Sequence, residues 1–462
     1  MFRQLDDFIL EGMKRTHLAS VAIALVSKGE VVYQRGYGSR DLETGLPATP
    51  RTLYGIGSIT KSFTAIALLQ LQEKGLLSLE DPVSRYLDFH LKPKGKDILI
   101  RHFLSHTSGI PALAYAEALI GHAQHSGDPY LPIGSPQDLI AFMADAEKWA
   151  VAEPGERWLY LNEGYALLGE IIAKVSGQAY EDYVRDHILR PLGMERSTFS
   201  QADLNRDDDV ATPYLLDREG RHLPGRYLFG RLLADGGLIS CAEDMSRYLL
   251  FLLSRGKNPD GILSPASIEA MEAPRIPTAP EAIDPHDWRK GTPATYYGLG
   301  LSSTTFFGRT LVGHGGSVGV ATAQLAYIPS EGVGAVVLAN GSGYPTAHMA
   351  QYALALLLGE DPFAWEPLRV ERDLLRWEGI YETYRGTTRV EVRRAGDRLE
   401  LIFRDRYGEE RVPLLPYELK GEEARFFTLS GGRRLWVEFR EGPEGPEFIY
   451  ERYLYRWSGR LT

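Results

Sequence analysis

The sequence is short of several things, and each shortage narrows the field. Its 462 residues hold one cysteine, Cys241. No intrachain disulfide is available, so the covalent stapling common in small secreted domains is excluded. Basic residues do not dominate: 51 Lys and Arg stand against 61 Asp and Glu, a formal net charge of −10. A nucleic-acid binder would be expected to carry a basic footprint, so no nucleic-acid partner is expected. No long hydrophobic run occurs. "VAIALV" at 21–26 is too short to span a bilayer and reads as a buried strand, so no membrane partner is expected either. The N-terminal "MFRQLDDFILEGMKR" has no basic n-region and no apolar core of leader length. A cytoplasmic location is the expectation. Internal repeats and low-complexity segments are also missing.

What is present is a chain apolar enough, at 44% hydrophobic residues, for a large core, and too long for one simple domain. A helix is expected over Phe2–Met13, then two strands around a Lys-Gly turn in "SVAIALVSKGEVVYQRGYG". Further helices are expected at Ser135–Ala146, Gly164–Val175 and Cys241–Leu253. "YYGLGLSS", "RTLVGHGG", "ATAQLAYIPS" and "GVGAVVLAN" read as strands of one antiparallel sheet, and "AHMAQYALALLLGE" as a last helix packing on it. The stretch 360–373, with two prolines and little periodicity, reads as a linker. Beyond it, period-two runs such as "RLELIFRD" and "RRLWVEFREG" predict a small antiparallel barrel. Its many Arg and Glu residues read as solvated outer strand faces.

The chemistry centres on "YGIGSITKSFTAIALLQLQEKG", residues 54–75, which puts Ser58 and Lys61 on one face of an expected helix start. A serine hydroxyl needs a base to become a nucleophile, and a lysine with a lowered pKa can be that base. The spacing alone is weak: a chain this long holds roughly one or two such matches by chance. A second match, "SRGK" at 254–257, reads as a helix end. Two further elements add weight. "YLN" at 160–162 is the only Y-x-N in the chain and lies on an expected loop before a helix. Tyr160 beside a lysine can serve in proton transfer, and Asn162 can offer an amide NH2 to a substrate carbonyl. Taken alone, they read as a packed Tyr and a turn Asn. "GHGGSVG" at 313–319 reads as a strand whose glycines, Gly315 and Gly316, let a substrate backbone approach. The N–H groups of Ser317 and Ser58 would then pair as an oxyanion hole. A tight turn is the bland reading of the glycines, and a satisfied surface side chain that of His314.

With these three elements in this order, the sequence resembles the penicillin-binding protein and class C β-lactamase family, in its esterase–peptidase branch. "LLSLEDPVSRYL", "IRHFLSHTSGI", "EPGERWLYLNEGYALLGEIIAKVSG", "PLGMERSTF" and "DGGLISCAEDMSRYLLFLL" extend the likeness over about residues 5–355. The resemblance implies an α+β fold. A β-lactamase/transpeptidase-like serine hydrolase domain, 1–360, has an antiparallel sheet flanked by helices and a helical subdomain. A lipocalin-like β-barrel domain, 374–462, follows. It implies a catalytic set of Ser58, Lys61, Tyr160 and His314. Ser58 is acylated, Lys61 takes its proton, and Tyr160 works with Lys61 as base and then as acid to the leaving group. Asn162, Gly315 and Gly316 hold substrate, and the Ser58 and Ser317 N–H groups hold the oxyanion. His314 departs from the antibiotic-targeted members, which carry lysine there. Since a histidine is mostly neutral at neutral pH, weak recognition of an anionic β-lactam is expected.

The expected activity is cleavage of amide bonds in small peptides or D-amino-acid amides through an acyl-enzyme. Carboxylesterase activity on short esters, and acyl transfer or cyclisation, are the alternatives; a non-catalytic binding protein is the competing class. No metal and no organic cofactor is required, and assembly into a homo-oligomer is left open. Four other features read as structural. "SHTSG" at 105–109 caps and turns a helix behind the site. The histidines of 121–136 lack a third ligand at metal-site spacing and sit in a polar loop over the cleft. The Pro-rich 273–298 is a second cleft loop, and Cys241 is buried without a partner.

Overall fold

A computed structural model describes residues 2–124, 131–217, 219–227, 232–257, 259, 261–279, 294–343 and 345–461. They fall into two compact units, one ending at Glu360 and the other running from Asp361 onward.

The first unit is built on a nine-stranded antiparallel sheet. Its main strands are Ser20–Ser27 (β1), Glu30–Asp41 (β2), Ser302–Phe306 (β3), Arg309–Ser317 (β4), Thr322–Ile328 (β5) and Val333–Ala339 (β6). The order is β2-β1-β6-β5-β4-β3, with two-residue strands at the edges. The aliphatic runs of β1 and β6 are buried along almost their whole length, which places them at the centre of the sheet. Helix Ala242–Leu253 packs on both, and helix Thr346–Leu358 packs on β5 and β6. Cys241 is buried at the start of the former, as expected.

The stretch expected as one strand over 296–303 is interrupted. Only Tyr296–Tyr297 and β3 are extended, because Gly298–Leu301 turns past the Lys61 backbone. Helix α1, Thr60–Glu73, differs from the amphipathic stripe its apolar residues suggest: every residue from Thr60 to Leu71 is buried. A helix buried on all sides must satisfy its polar side chains internally. Thr64 Oγ1 donates to Ala234 O at 2.7 Å, and Tyr248 donates to Ser62 Oγ at 2.8 Å.

The second unit is a closed barrel of eight antiparallel strands between Gly379 and Gly459. Period two holds: Val437 and Phe439 point inward, Trp436 and Glu438 outward. Phe426, Phe439, Phe448, Tyr381 and Tyr455 fill the interior. Arg425–Glu438 at 3.0 Å and other cross-strand ion pairs account for the charged outer faces. Such exposed pairs contribute about 0–1 kcal/mol each. The stretch read as a linker contains a helix, Glu366–Leu375, whose Val370 and Leu374 join the barrel's core cluster. Pro367 occupies its first turn, where a missing N–H costs nothing.

Candidate active site

Ser58 lies on a single 3₁₀ turn, Gly57–Ile59, that leads directly into α1, and Lys61 is the second residue of that helix. The Lys61 side chain is wholly buried. Its Nζ donates to Ser58 Oγ at 3.0 Å, to Asn162 Oδ1 at 2.8 Å and to the Asp235 backbone carbonyl at 2.6 Å. An ammonium has three N–H donors, so all three are used. Tyr160 meets Lys61 with its ring face, the Nζ standing 4.9 Å from the ring centre. Asn162 opens helix α2, Asn162–Ser176, and is held there by Lys61 through Oδ1, so its NH2 is not used by that contact.

Strand β4 closes the site from the other side. Its pairing with β3 runs from Arg309 and ends at Gly313, so Gly315–Ser317 continues past the neighbouring strand with one edge open. Val318 N–H donates to Ala321 O at 3.0 Å on the β5 side. Alternation along an antiparallel strand then turns the Ser317 N–H to the opposite edge, toward the Ser58 turn. The approach is tight. Gly57 has φ +51°, and a Cβ there would stand 2.6 Å from the Ser317 nitrogen. A Cβ on Gly316 would overlap the Ile56 carbonyl oxygen and come within 3.2 Å of the Ser58 nitrogen. Glycine at both positions lets the two backbone N–H groups converge.

Ser58, Tyr160, Asn162, His314, Gly315, Gly316 and Ser317 all line one cleft of about 810 Å³. Lys61 reaches it from below through Ser58 and Asn162. The structure therefore places Ser58, Lys61, Tyr160, Asn162, His314, Gly315, Gly316 and Ser317 around one cleft. His314 holds a special place among them. It is buried, its Nδ1 lies 2.6 Å from Gly315 O, and its Nε2 lies 2.8 Å from the Tyr297 hydroxyl. A carbonyl can only accept, so Nδ1 carries the proton and Nε2 accepts from Tyr297. Burial, and then the Lys61 cation, push the imidazole down to about 4. His314 is neutral across the physiological range, with both ring nitrogens engaged by protein.

Several contributors escaped sequence reasoning. The Asp235 carbonyl is the third acceptor of Lys61, and the Asp235 side chain accepts a hydrogen bond from the Tyr115 hydroxyl at 2.7 Å. A backbone carbonyl has no residue-type signal, although "DGG" at 235–237 marks the place. His106, from "SHTSG", is buried against Tyr160 rather than merely turning a helix. The cleft loop expected over 121–136 lies partly outside the described residues, His125 included, and so does most of 273–298. No group of side chains fit to hold a metal occurs among the described residues. No helix among them is long and apolar enough to cross a membrane.

Glu163, next to Asn162, is buried and accepts the Tyr115 N–H at 3.2 Å. Burial pushes its carboxyl up to about 7. A carboxyl raised above its unfolded value binds its proton more tightly when folded. Its contribution to stability is full below the unfolded pKa, near 4.5, and is lost as pH rises toward about 7. Glu163→Gln should therefore gain stability relative to the parent protein between about pH 5 and about pH 8 in urea melts. An equal difference at both pH values would contradict this assignment.

Residues 5–360 match the Beta-lactamase family model, and residues 364–456 match the model of the Pab87 octamerisation domain. Among curated relatives, Protein flp of Staphylococcus aureus (strain MW2) is 33% identical over 211 residues, 45% of this chain and 40% of that protein. The chain thus spans well under half the length of flp. Penicillin-binding protein 4* of Bacillus subtilis (strain 168) is 28% identical over 334 residues, 69% of this chain and 68% of that protein. Among solved structures, the octameric penicillin-binding protein homologue from Pyrococcus abyssi superposes with a TM-score of 0.90 at 44% identity, covering 98% of this chain and 99% of that one. With its sheet-and-helix domain, its Ser58–Lys61 pair and a family match over residues 5–360, the chain belongs to the Beta-lactamase family.

Proposed function

We propose that the protein is a serine hydrolase that acts through an acyl-enzyme on Ser58 and cleaves amide bonds of small peptides or D-amino-acid amides. The carrying observation is the hydrogen bonding of Lys61. If Lys61 loses one proton, two N–H donors remain for the two fixed acceptors, Asn162 Oδ1 and Asp235 O. The lone pair then faces Ser58 Oγ, 3.0 Å away. In that state Lys61 accepts the hydroxyl proton as Oγ attacks the substrate carbonyl carbon. The oxyanion that forms is met by the Ser58 and Ser317 N–H groups. Asn162 turns its NH2 to the acyl amide. The proton passes by way of Lys61 and Tyr160 to the leaving nitrogen or oxygen, and water releases the acyl group by the reverse route.

Short esters form a second reading, and His314 is the observation that favours it. Where the antibiotic-targeted members carry a lysine, this cleft has a neutral imidazole whose nitrogens are already bonded. A substrate carboxylate gains no counter-charge from it. Turnover of nitrocefin is expected to be slower than that of p-nitrophenyl esters by about 100-fold or more, the order of magnitude lost with a charge-assisted contact. Nitrocefin turnover at the ester rate would contradict this. A panel of p-nitrophenyl esters, L- and D-amino-acid anilides and nitrocefin, with Ser58→Ala as control, separates the readings. Equal rates for Ser58→Ala and the parent protein would overturn both.

The barrel supports a homo-oligomer, by its match to an octamerisation domain and by the octameric solved relative. A light-scattering mass at the 51.6 kDa of one chain would contradict that assembly.

A further inference from the structure

We propose that His106 is a positioning residue that splints the loop carrying Tyr160 and Asn162, without itself moving a proton. The inference rests on the acyl-enzyme reading above for its kinetic half, and on geometry alone for its structural half.

His106 is wholly buried. It sits in the left-handed region at φ 55°, which histidine and asparagine tolerate better than most residues. This turn aims both its carbonyl and its ring at one short segment. Leu159 N–H donates to His106 O at 2.7 Å, and Leu161 N–H donates to His106 Nδ1 at 3.0 Å. The two backbone donors flanking Tyr160 therefore end on the same residue. Between them, the imidazole lies against the Tyr160 ring, 4.0 Å between centres at an interplanar angle of 31°. Three contacts fix the residue that faces Lys61, and the splint ends where helix α2 begins with Asn162.

The same contacts assign the tautomer. Nδ1 accepts a backbone proton, so Nε2 carries the hydrogen. Nε2 is buried and has no hydrogen-bond partner. Burial, and then the Lys61 cation, hold the imidazole well below its ordinary pKa, hence neutral. Neither nitrogen bonds Ser58, Lys61 or Tyr160, so His106 lies outside the proton path. Histidine meets three demands at once: a left-handed backbone, an acceptor at Nδ1 and a flat ring. Asparagine keeps the first, and its Oδ1 can replace the acceptor. Phenylalanine keeps only the ring.

The test pairs His106→Asn with His106→Phe. Hydrogen exchange by mass spectrometry over 156–165 reads the Leu159 and Leu161 amides directly, without reference to activity. In His106→Phe, the Leu161 amide is expected to exchange about tenfold or more faster, since its acceptor is gone. In His106→Asn, much of the protection should return. A loop displaced near 1 Å lowers kcat by about 10- to 100-fold with KM within about twofold, and the asparagine variant should recover part of it. Parent-like exchange at Leu161 in both variants overturns the splint. Changed exchange with parent-like kcat in both overturns the catalytic consequence. If His106→Phe does not fold, His106→Asn decides alone: slower acylation with retained melting temperature supports the proposal, and kcat loss that only tracks melting overturns it. Failure of the acyl-enzyme reading shows separately, as equal rates in Ser58→Ala and the parent protein.

Discussion

Lys61→Met is expected to lower kcat/KM by about a thousandfold, in the upper range for loss of a positioned general base. Met fills a similar volume but supplies no donor and no lone pair of comparable basicity. Ser58 Oγ then has no acceptor for its proton as it attacks. Two further acceptors, Asn162 Oδ1 and Asp235 O, lose their shared donor, so the Asn162 side chain is freed to turn. Leaving a buried acceptor unpaired costs about 1–3 kcal/mol, but removing a buried cation returns part of its desolvation. Stability should thus change far less than rate. Ester hydrolysis and thermal melting, measured on the same preparation, check this. A folded Lys61→Met protein within about tenfold of parental activity would contradict the base assignment.

Gly316→Ala is the second large effect, and it comes from space rather than charge. The added methyl would overlap the Ile56 carbonyl oxygen. Backbone on both sides leaves no flexible chain end to yield. Strand β4 must retreat from the Ser58 turn, which separates the two N–H groups that converge on the oxyanion. Loss of one such donor costs about 100- to 1,000-fold in kcat, and that is the expected range here. Gly315→Ala offers the comparison. Its methyl would meet only Gln324 Oε1 at 3.3 Å, the far end of a flexible side chain. A milder loss is expected there. Equal losses at both positions would separate the effect from the strand–turn approach.

The sequence made much of this arrangement legible, for identifiable reasons. Ser58 and Lys61 are held by local helix geometry, so their spacing alone predicts contact. Tyr160, Asn162 and the glycines of β4 were reached through their order along the chain and the family resemblance. What stayed hidden depends on long-range contacts. The Lys61–Asp235 bond joins residues 174 positions apart through a backbone carbonyl. The Leu161–His106 bond spans 55 positions, and His106 reads locally as part of a turn. Tyr297 fixes the tautomer of His314 from 17 positions away, beyond a strand that the glycines at 298 and 300 break. In the second unit, alternation exposed the barrel directly because a strand's two faces differ in polarity. The helix Glu366–Leu375 was concealed by Pro367, which sits where a helix can begin. Its buried Leu368, Val370 and Leu374 carry the amphipathic signal.

The most direct test is intact-mass spectrometry with peptide mapping after treatment with a fluorophosphonate. One adduct per chain is expected, on Ser58, formed far more slowly in Lys61→Met and absent from that position in Ser58→Ala. A folded protein that takes no adduct, or one that labels equally after Ser58→Ala, would contradict Ser58 as the nucleophile.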